Sequence, residues 1–327
     1  MQIFVGGHNT GVQLLKGTNI SLENSLIEAG FVICESLKDA DALVLIDMDI
    51  HLLKYAHKLS AGKLPIVFVR NEPIVVWPAN YNTAAISLTS KLIDVGRHGG
   101  LYNSDIPYPQ KWHQNLEFRE VVSTRSENVV LINGNKLSFI IGEMYSCRRE
   151  CVFSLPNLDL YGTGWDISFM RKLLIFVAEY RLAIMNRMWP KLSNSGNWLR
   201  RPYNWKGAPT SKLETLSKYK CALVIENSMD ALTEKLFDAF FARCIPVYVG
   251  PAVDKFDIPE SLVVQVEPNL SSIKEGIAIA NAMDYEEWKI RLNTWLLKDA
   301  VSNKWSAENA YGTIANEVYE YIKNSFK

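Results

Sequence analysis

The sequence predicts an α/β fold with two doubly wound, Rossmann-like domains that face a cleft. The chain has 327 residues. This is too many for a single hydrophobic core of ordinary size and enough for two domains of about 150 residues each. Short apolar runs alternate with segments of helical periodicity, which is typical of parallel sheets covered by helices. This alternation occurs twice along the chain, without a short internal repeat.

The first series lies within the first hundred residues. Its predicted strands are 2–6, 31–35, 42–47, 65–70 and 84–89, and the intervening segments space their apolar residues at three and four. Residues 99–127 are rich in Pro, Tyr and Asn and predict a loop, a helix within 110–122 and a linker. We therefore expect an N-terminal domain over residues 1–127.

The second series predicts strands at 137–143, 221–227, 245–250 and 262–266. We expect a C-terminal domain over residues 128–305, followed by a helix at 306–327 that could pack back on the N-terminal domain. Paired domains of this kind bind ligands between them, at the carboxyl ends of their strands.

Composition excludes several classes of protein. Hydrophobic residues make up 48% and charged residues 21%, as in soluble globular proteins. Lys+Arg and Asp+Glu both number 35, and this balance argues against a nucleic-acid partner. The N-terminus lacks a signal-peptide pattern and no apolar run approaches the roughly 18 residues of a membrane helix, so we expect a cytoplasmic protein. The odd count of five cysteines favours reduced thiols, and Cys147 and Cys151 are interpreted as buried thiols rather than metal ligands.

Residues 166–218 are less regular than the rest. A helical pattern carrying arginines is followed by turn residues, tryptophans and the pair Arg200 and Arg201. Mixed basic and aromatic residues suit an acceptor-binding or membrane-surface insert. The interpretation we favour is a buried helix followed by a surface loop.

Residues 219–250 join the apolar runs "CALVIEN" and "IPVYVG" through the amphipathic segment "LTEKLFDAFFARC". The runs predict buried parallel strands, and a right-handed crossover places the start of the helix at the carboxyl edge of the sheet. Thr233 takes the N-cap position, with Glu234 and Lys235 in the first turn. The helix dipole disfavours a cation there, so Lys235 indicates an anionic ligand, above all a phosphate. We predict that Lys235 holds a diphosphate and that Glu234 accepts hydrogen bonds from sugar hydroxyl groups.

This stretch resembles the signature of the α1,3-fucosyltransferase family. The matching residues are Glu226, Asn227, Ser228, Thr233, Glu234, Lys235, Pro246, Val247 and Gly250. The following "FDIPESLVVQVE" is similar to another family segment, so the resemblance covers about residues 137–270. It implies the GT-B arrangement of two Rossmann-like domains, with GDP-fucose bound by the C-terminal domain and fucose transferred with inversion.

The resemblance also implies a second cation on the diphosphate. In the family this is an Arg after an early strand of the C-terminal domain, and here "FIIGEMYSCRRECVF" supplies Arg148 and Arg149. Spacing to Val152 and Phe153 favours Arg149. With Lys235 it would offset the charge that grows on the departing GDP.

Further donor contacts are expected from Glu226, Asn227, Ser228 and Thr233. Gly162, in "LYGTGWD", is expected in a turn that lets the backbone approach the nucleotide. One position departs from the family pattern, because Ala231 stands where the family has a Tyr that helps hold the donor. This substitution leaves the identity of the sugar or base open.

Inverting transfer needs a carboxylate that takes the proton of the acceptor hydroxyl, and the candidate is Glu72 in "VRNEPIVVW". It follows a predicted strand, and the family carries a Glu close to a Pro in a similar segment. Rival residues are Asp47 and Asp49, which match the Asp-any-Asp metal motif of another glycosyltransferase fold, and His8, which could contact the acceptor or the base. We expect no metal ion, because GT-B enzymes generally use positive side chains and helix dipoles instead.

The predicted activity is transfer of L-fucose from GDP-fucose to a hydroxyl of a glycan acceptor, with an α1,3 linkage to a GlcNAc-type sugar. The resemblance to bacterial members implies a surface-polysaccharide or lipopolysaccharide acceptor and a location at the inner face of the membrane, with peripheral membrane contact left open. No cofactor is expected beyond the donor substrate. Two alternatives remain: a related transferase with another nucleotide sugar, and a silent nucleotide- or glycan-binding module.

Overall fold

A computed structural model describes residues 1–8, 21–96, 104, 106–118, 124–166, 169–185 and 201–326. The chain divides into two compact units. Unit 1 combines Met1–His113 with Asp299–Lys327, and unit 2 is the continuous segment Gln114–Lys298. Both ends of the chain therefore belong to unit 1.

Unit 1 contains a five-stranded parallel sheet. Its strands are β1 (Gln2–Gly6), β2 (Val32–Ile33), β3 (Ala42–Ile46), β4 (Ile66–Arg70) and β5 (Lys91–Asp94), in the order β2-β1-β3-β4-β5. Its helices are α1 (Leu22–Glu28), α2 (Ile50–Ser60), α3 (Thr83–Ile86), α11 (Asp299–Trp305) and α12 (Ala307–Ser325), and α4 (Trp112–Leu116) lies at the division between the units. The strand order reverses between β1 and β3, which is where doubly wound sheets bind ligands.

The two faces of this sheet are covered by different helices. Alternate residues of β3 point to opposite faces, as strand geometry requires. Ala42, Val44 and Ile46 pack in the hydrophobic cluster that includes α1 and α12, whereas Leu43 and Leu45 pack with α2 and α3. A C-terminal helix thus completes the core of the unit that the N-terminal residues begin.

Unit 2 contains a second parallel sheet of five strands. They are β6 (Ser126–Ile132), β7 (Leu158–Tyr161), β8 (Tyr219–Ile225), β9 (Ile245–Val249) and β10 (Val264–Gln265), in the order β10-β9-β8-β6-β7. The helices are α5 (Tyr145–Ser154), α6 (Phe169–Met185), α7 (Lys212–Leu216), α8 (Glu234–Phe241), α9 (Leu270–Ala282) and α10 (Tyr285–Leu296). The strand order reverses between β6 and β8, so the loops after these two strands flank the switch point.

Two strands predicted from the sequence are wrong. Residues 84–89 overlap α3, because the side chain of Asn82 accepts a hydrogen bond from the amide of Ala85 and starts a helical turn; the strand is Lys91–Asp94. Residues 137–143 lie in a loop, and Phe139 and Ile141 are exposed there. The preceding segment Ser126–Ile132 forms the strand instead, since its apolar residues fill the sheet between β7 and β8.

The favoured interpretation of the 166–218 region is also wrong in its described part. The predicted helix exists as α6, but most of its described apolar side chains are exposed rather than buried. Residues 186–200, which include Arg200, lie outside the described residues, as does the end of the predicted helix at 119–122. Among the described helices, none is long and apolar enough to cross a membrane. All five cysteines are free, and only Cys34 is not buried.

Candidate functional site

The candidate donor site lies where β8 ends and α8 begins. Glu226 directly follows β8, and its side chain has no exposed surface. Its carboxylate accepts hydrogen bonds from the amide (2.9 Å) and the hydroxyl (2.7 Å) of Thr233, and lies 3.1 Å from the ammonium of Lys235. The carboxylate therefore ties the loop after β8 to the first turn of α8.

Lys235 is held by two oxygens. Besides Glu226, its ammonium donates to the hydroxyl of Thr233 at 2.7 Å. An ammonium has three N–H donors, and among the described residues these two oxygens are its hydrogen-bond partners. With 17% of the side chain exposed, the remaining donor is available to a ligand at the helix N-terminus.

Thr233 occupies the predicted N-cap position, but its hydroxyl is directed to Glu226 and does not cap α8. An N-terminus without a side-chain cap keeps its amide groups available for an anion. Thr233 and Glu226 therefore orient the lysine, and the helix itself presents amide donors beside it.

Glu234 and Lys235 point to different partners, although they are adjacent in sequence. The Glu234 carboxylate lies 3.3 Å from the ammonium of Lys212, which also lies 3.2 Å from Asp238. Burial opposes ionisation of Glu234, but the charges of Lys235 and Lys212 outweigh it and lower its pKa to about 2. Glu234 therefore remains an ionised acceptor, with 37% of its side chain exposed.

The adjacent arginines of α5 also diverge. The guanidinium of Arg148 donates to the carbonyls of Ile225 and Glu226, both at 2.7 Å, and to Oδ1 of Asn227 at 3.0 Å. Burial lowers its pKa. Arg149, which the sequence spacing favours, donates to the carbonyl of Lys136 at 2.9 Å in the loop after β6. Both arginines are buried, and Arg148 contacts the end of β8 and the two residues that follow it.

The remaining predicted donor residues fall into two places. Asn227 and Ser228 lie beside the start of α5, because the amide of Met144 donates to the carbonyl of Asn227. Ser228 donates to the carboxylate of Asp230 at 2.5 Å. Gly162 lies instead at the end of β7, where its amide donates to the carbonyl of Gly207.

A residue that sequence reasoning missed is Glu143. Its carboxylate accepts from the amides of Tyr145 (2.6 Å) and Ser146 (3.1 Å) and from the Ser146 hydroxyl (2.5 Å), so it caps α5. A Glu just before a helix with a Ser three residues on is a weak capping signal. Glu143 fixes the helix that carries both arginines.

The conformation of Gly162 gives a prediction about stability. Its φ is +136°, and a Cβ atom added there would lie 2.1 Å from the carbonyl oxygen of Asn133. Replacement by Ala should lower the free energy of unfolding in urea by roughly 3–5 kcal/mol, since both the backbone and the neighbouring strand end must shift.

Two other glycines provide matched controls for this prediction. Gly142 also has a positive φ, +89°, but no atom lies within 4 Å of an added Cβ. Gly142→Ala should therefore lower the free energy of unfolding by about 1–2 kcal/mol. Gly134→Ala meets only ordinary contacts, 3.7 Å and longer, and should change stability by less than about 1 kcal/mol. Equal effects at Gly142 and Gly162 would contradict the proposed clash.

In unit 1, the backbone of Glu72 is fixed on both sides. Its amide donates to Oδ1 of Asp47 at 2.9 Å, and its carbonyl accepts from Nδ2 of Asn80 at 3.0 Å. The same Asp47 oxygen accepts from the amide of Asn71 and from Nδ2 of Asn80. Asp47 and Asn80 are wholly buried, so they link the loops after β3 and β4 and determine where Glu72 stands.

The rival residues have structural partners. Asp47 accepts hydrogen bonds from the loop after β4. Asp49 caps α2 by accepting hydrogen bonds from the amides of His51 and Leu52. Within the described ranges, no group of three His, Cys, Asp or Glu side chains is placed to hold a metal ion. His8 follows β1 and stacks on Trp77, with ring centroids 3.4 Å apart.

Comparisons with known proteins show the fold. No protein-family model and no curated protein match the sequence. A solved α1,3-fucosyltransferase matches with a TM-score of 0.53 at 12% identity, covering 99% of this chain and 90% of that one. A UDP-forming α,α-trehalose-phosphate synthase from Burkholderia xenovorans matches with a TM-score of 0.51 at 13% identity, covering 89% and 75%.

These neighbours are GT-B glycosyltransferases, and the predicted α/β fold of the GT-B class with two Rossmann-like domains is confirmed. A crystal structure described as α1,3-fucosyltransferase with GDP-fucose also matches, with a TM-score of 0.50 at 11% identity over 98% of this chain and 89% of that one. Identities this low establish the fold alone.

Proposed function

We propose that the protein is an inverting glycosyltransferase that uses a nucleoside-diphosphate sugar. The observation that carries the proposal is the Lys235 ammonium, held by a wholly buried carboxylate at the uncapped N-terminus of α8. A positive side chain and helix amides directed to one point suit a diphosphate. Glu234 remains ionised beside it and can accept hydrogen bonds from sugar hydroxyl groups.

The proposed reaction forms one glycosidic bond and breaks another. The acceptor hydroxyl oxygen attacks the anomeric carbon of the donor, and the bond from that carbon to the β-phosphate oxygen breaks. The electron pair of the broken bond remains on the diphosphate, where Lys235 offsets the new charge. The proton of the acceptor hydroxyl passes to the carboxylate of Glu72, the general base.

For the donor we propose GDP-fucose, and for the acceptor a hydroxyl of a GlcNAc-type glycan. The support is the resemblance of residues 226–250 to the α1,3-fucosyltransferase signature, in which Glu234 and Lys235 are matched. Ala231 replaces the Tyr of that signature and is buried. Another nucleotide sugar is therefore the outcome that the donor experiment has to distinguish.

The donor site predicts a nucleotide preference and a dependence on Lys235. Calorimetric titration with GDP, UDP and CMP should show binding of GDP. Lys235→Met should weaken that binding roughly 10- to 100-fold, because a charge-assisted hydrogen bond to phosphate is lost. Lys218→Met is the matched control: Lys218 pairs with Glu214 at the surface, 46% exposed, and its loss should leave the dissociation constant unchanged.

Turnover with GDP-fucose and an N-acetyllactosamine acceptor should then release GDP. Binding and turnover with a UDP- or CMP-sugar alone would overturn the fucose assignment but keep the transferase. Tight nucleotide binding without turnover on any acceptor would favour the silent binding module. Equal affinities of the Lys235 variant and the unmodified protein for GDP would refute the diphosphate role of the lysine.

A further inference from the structure

Helix α6 presents an apolar face to solvent. Seven large apolar side chains on this helix are between 45% and 64% exposed: Met170, Leu173, Leu174, Val177, Tyr180, Ile184 and Met185. Ile175, by contrast, is buried. Soluble proteins rarely expose contiguous apolar surface of this kind without a partner.

The exposed residues form one continuous stripe. With a turn of 100° per residue, they and the exposed Arg181 fall within an arc of about 140°, and Ile175 lies on the other side of the helix. Seventeen residues give the stripe a length of about 25 Å. The stripe therefore has the width and the length of a docking surface.

Two kinds of partner could cover an apolar stripe of this kind: a second helix or a lipid surface. Met170, Leu173, Val177, Tyr180 and Ile184 follow the three-and-four spacing of a coiled-coil seam. The exposed stripe is wider than such a seam, because it also contains Leu174, Arg181 and Met185. The exposed stripe as described contains no acidic side chain that a second copy could place beside Arg181, whereas coiled coils place complementary charges beside the seam.

Charge favours a lipid surface. The α6 sequence has three basic residues and one acidic residue, whereas the whole chain has zero net charge. An amphipathic helix with excess basic residues binds anionic headgroups while its apolar side enters the headgroup boundary. Arg181 can bury its stem and keep its guanidinium at the phosphate level, and Tyr180 suits the same interface.

We propose that α6 lies flat on an anionic lipid bilayer and holds the protein at that surface. The proposal depends on α6 alone and not on the proposed sugar transfer. Four of its seventeen residues are charged, which a membrane-spanning helix would not tolerate, so it rests on the bilayer. The side chains that enter the lipid are those of the stripe.

The test is flotation of the full chain with phosphatidylcholine vesicles, with and without phosphatidylglycerol, at equal total lipid. The protein should float only with the anionic vesicles. Val177→Glu should lower partitioning more than about tenfold, since an apolar contact is lost and a repelled charge is added. Arg181→Gln should lower it about fivefold. Because both side chains are exposed, circular dichroism and the melting temperature should not change.

Ile290→Glu is the control variant. Ile290 is 66% exposed on α10 of the same unit, so its replacement adds the same charge away from α6 and should leave flotation unchanged. Absence of flotation with anionic vesicles, or equal flotation of the Val177→Glu variant, would overturn the proposal. Self-association in the ultracentrifuge that Val177→Glu abolishes, without flotation of the unmodified chain, would assign the stripe to a second copy instead.

Discussion

Glu72→Gln should lower the rate of sugar transfer by about 10²- to 10⁴-fold, the usual contribution of a general base. The side-chain amide of Gln has the same shape as the carboxylate of Glu but cannot take the proton of the acceptor hydroxyl. The backbone at this position is held by Asp47 and Asn80, so the substitution leaves the loop in place. The proposed nucleotide site lies in unit 2, so the dissociation constant for GDP should be unchanged.

Glu35→Gln provides the control for this experiment. Glu35 is an exposed carboxylate in the same unit, and its loss should leave transfer unaffected. Rates are measured by release of GDP, and titration with GDP is repeated for each variant. Unchanged turnover in the Glu72 variant would remove this residue as the base, whereas loss of GDP binding together with turnover would indicate a disturbed structure.

Glu226→Gln should lower the free energy of unfolding by roughly 3 kcal/mol, the lower end of the range for breaking a buried ion pair. The Gln amide group would face the ammonium of Lys235 and the hydroxyl of Thr233, where a carboxylate oxygen now accepts. The ammonium of Lys235, whose side chain is only 17% exposed, loses its ion-pair partner. Urea unfolding without nucleotide measures this effect independently of the proposed activity.

A double variant distinguishes loss of the pair from loss of packing. In Glu226→Gln with Lys235→Met neither charge remains, and the destabilisation should be smaller than for Glu226→Gln alone. Glu214→Gln breaks an exposed pair with Lys218 and should cost less than about 1 kcal/mol. Equal losses at Glu214 and Glu226 would show that the buried carboxylate does not stabilise the start of α8.

The fold could be predicted because buried parallel strands leave a strong local pattern. Strands β3 and β9 are continuous apolar runs, as are β4 up to Arg70 and β8 from Cys221 onward, and a polar residue or glycine follows each run. The errors have local causes. The apolar residues of 137–143 resemble a strand, but only pairing with neighbouring strands decides that 126–132 occupies the sheet. The other error, a strand predicted at 84–89, arose because Asn82 caps a helical turn there.

The residues of the site were partly predictable for the same reason. Thr233, Glu234 and Lys235 lie together because they start one helix, so sequence alone could gather them. Which partner each side chain finds depends on residues far away in sequence, as the contact between Glu234 and Lys212 shows. The backbone carbonyl that each of Arg148 and Arg149 contacts likewise belongs to a residue outside α5, Ile225 and Lys136 respectively.

Asp47 illustrates a second limit. The sequence places this carboxylate directly after β3, where it could be a metal ligand. The pattern does not reveal that its Oδ1 accepts hydrogen bonds from the amides of Asn71 and Glu72 in the loop after β4. The interaction joins residues 24 and 25 positions apart along the chain. Asp47, which the sequence offers as a rival of Glu72, instead holds the backbone of Glu72 in place.

The return of the chain to unit 1 has a consequence for synthesis on the ribosome. Ala310, Ile314, Val318 and Ile322 of α12 belong to the same core cluster as Ile3 of the first strand. Unit 1 therefore lacks part of its core until α12 has emerged, whereas all of Gln114–Lys298 has been made before α12. Domains generally fold as units during synthesis, so unit 2 can form first, while the unit that holds the proposed base waits for α12.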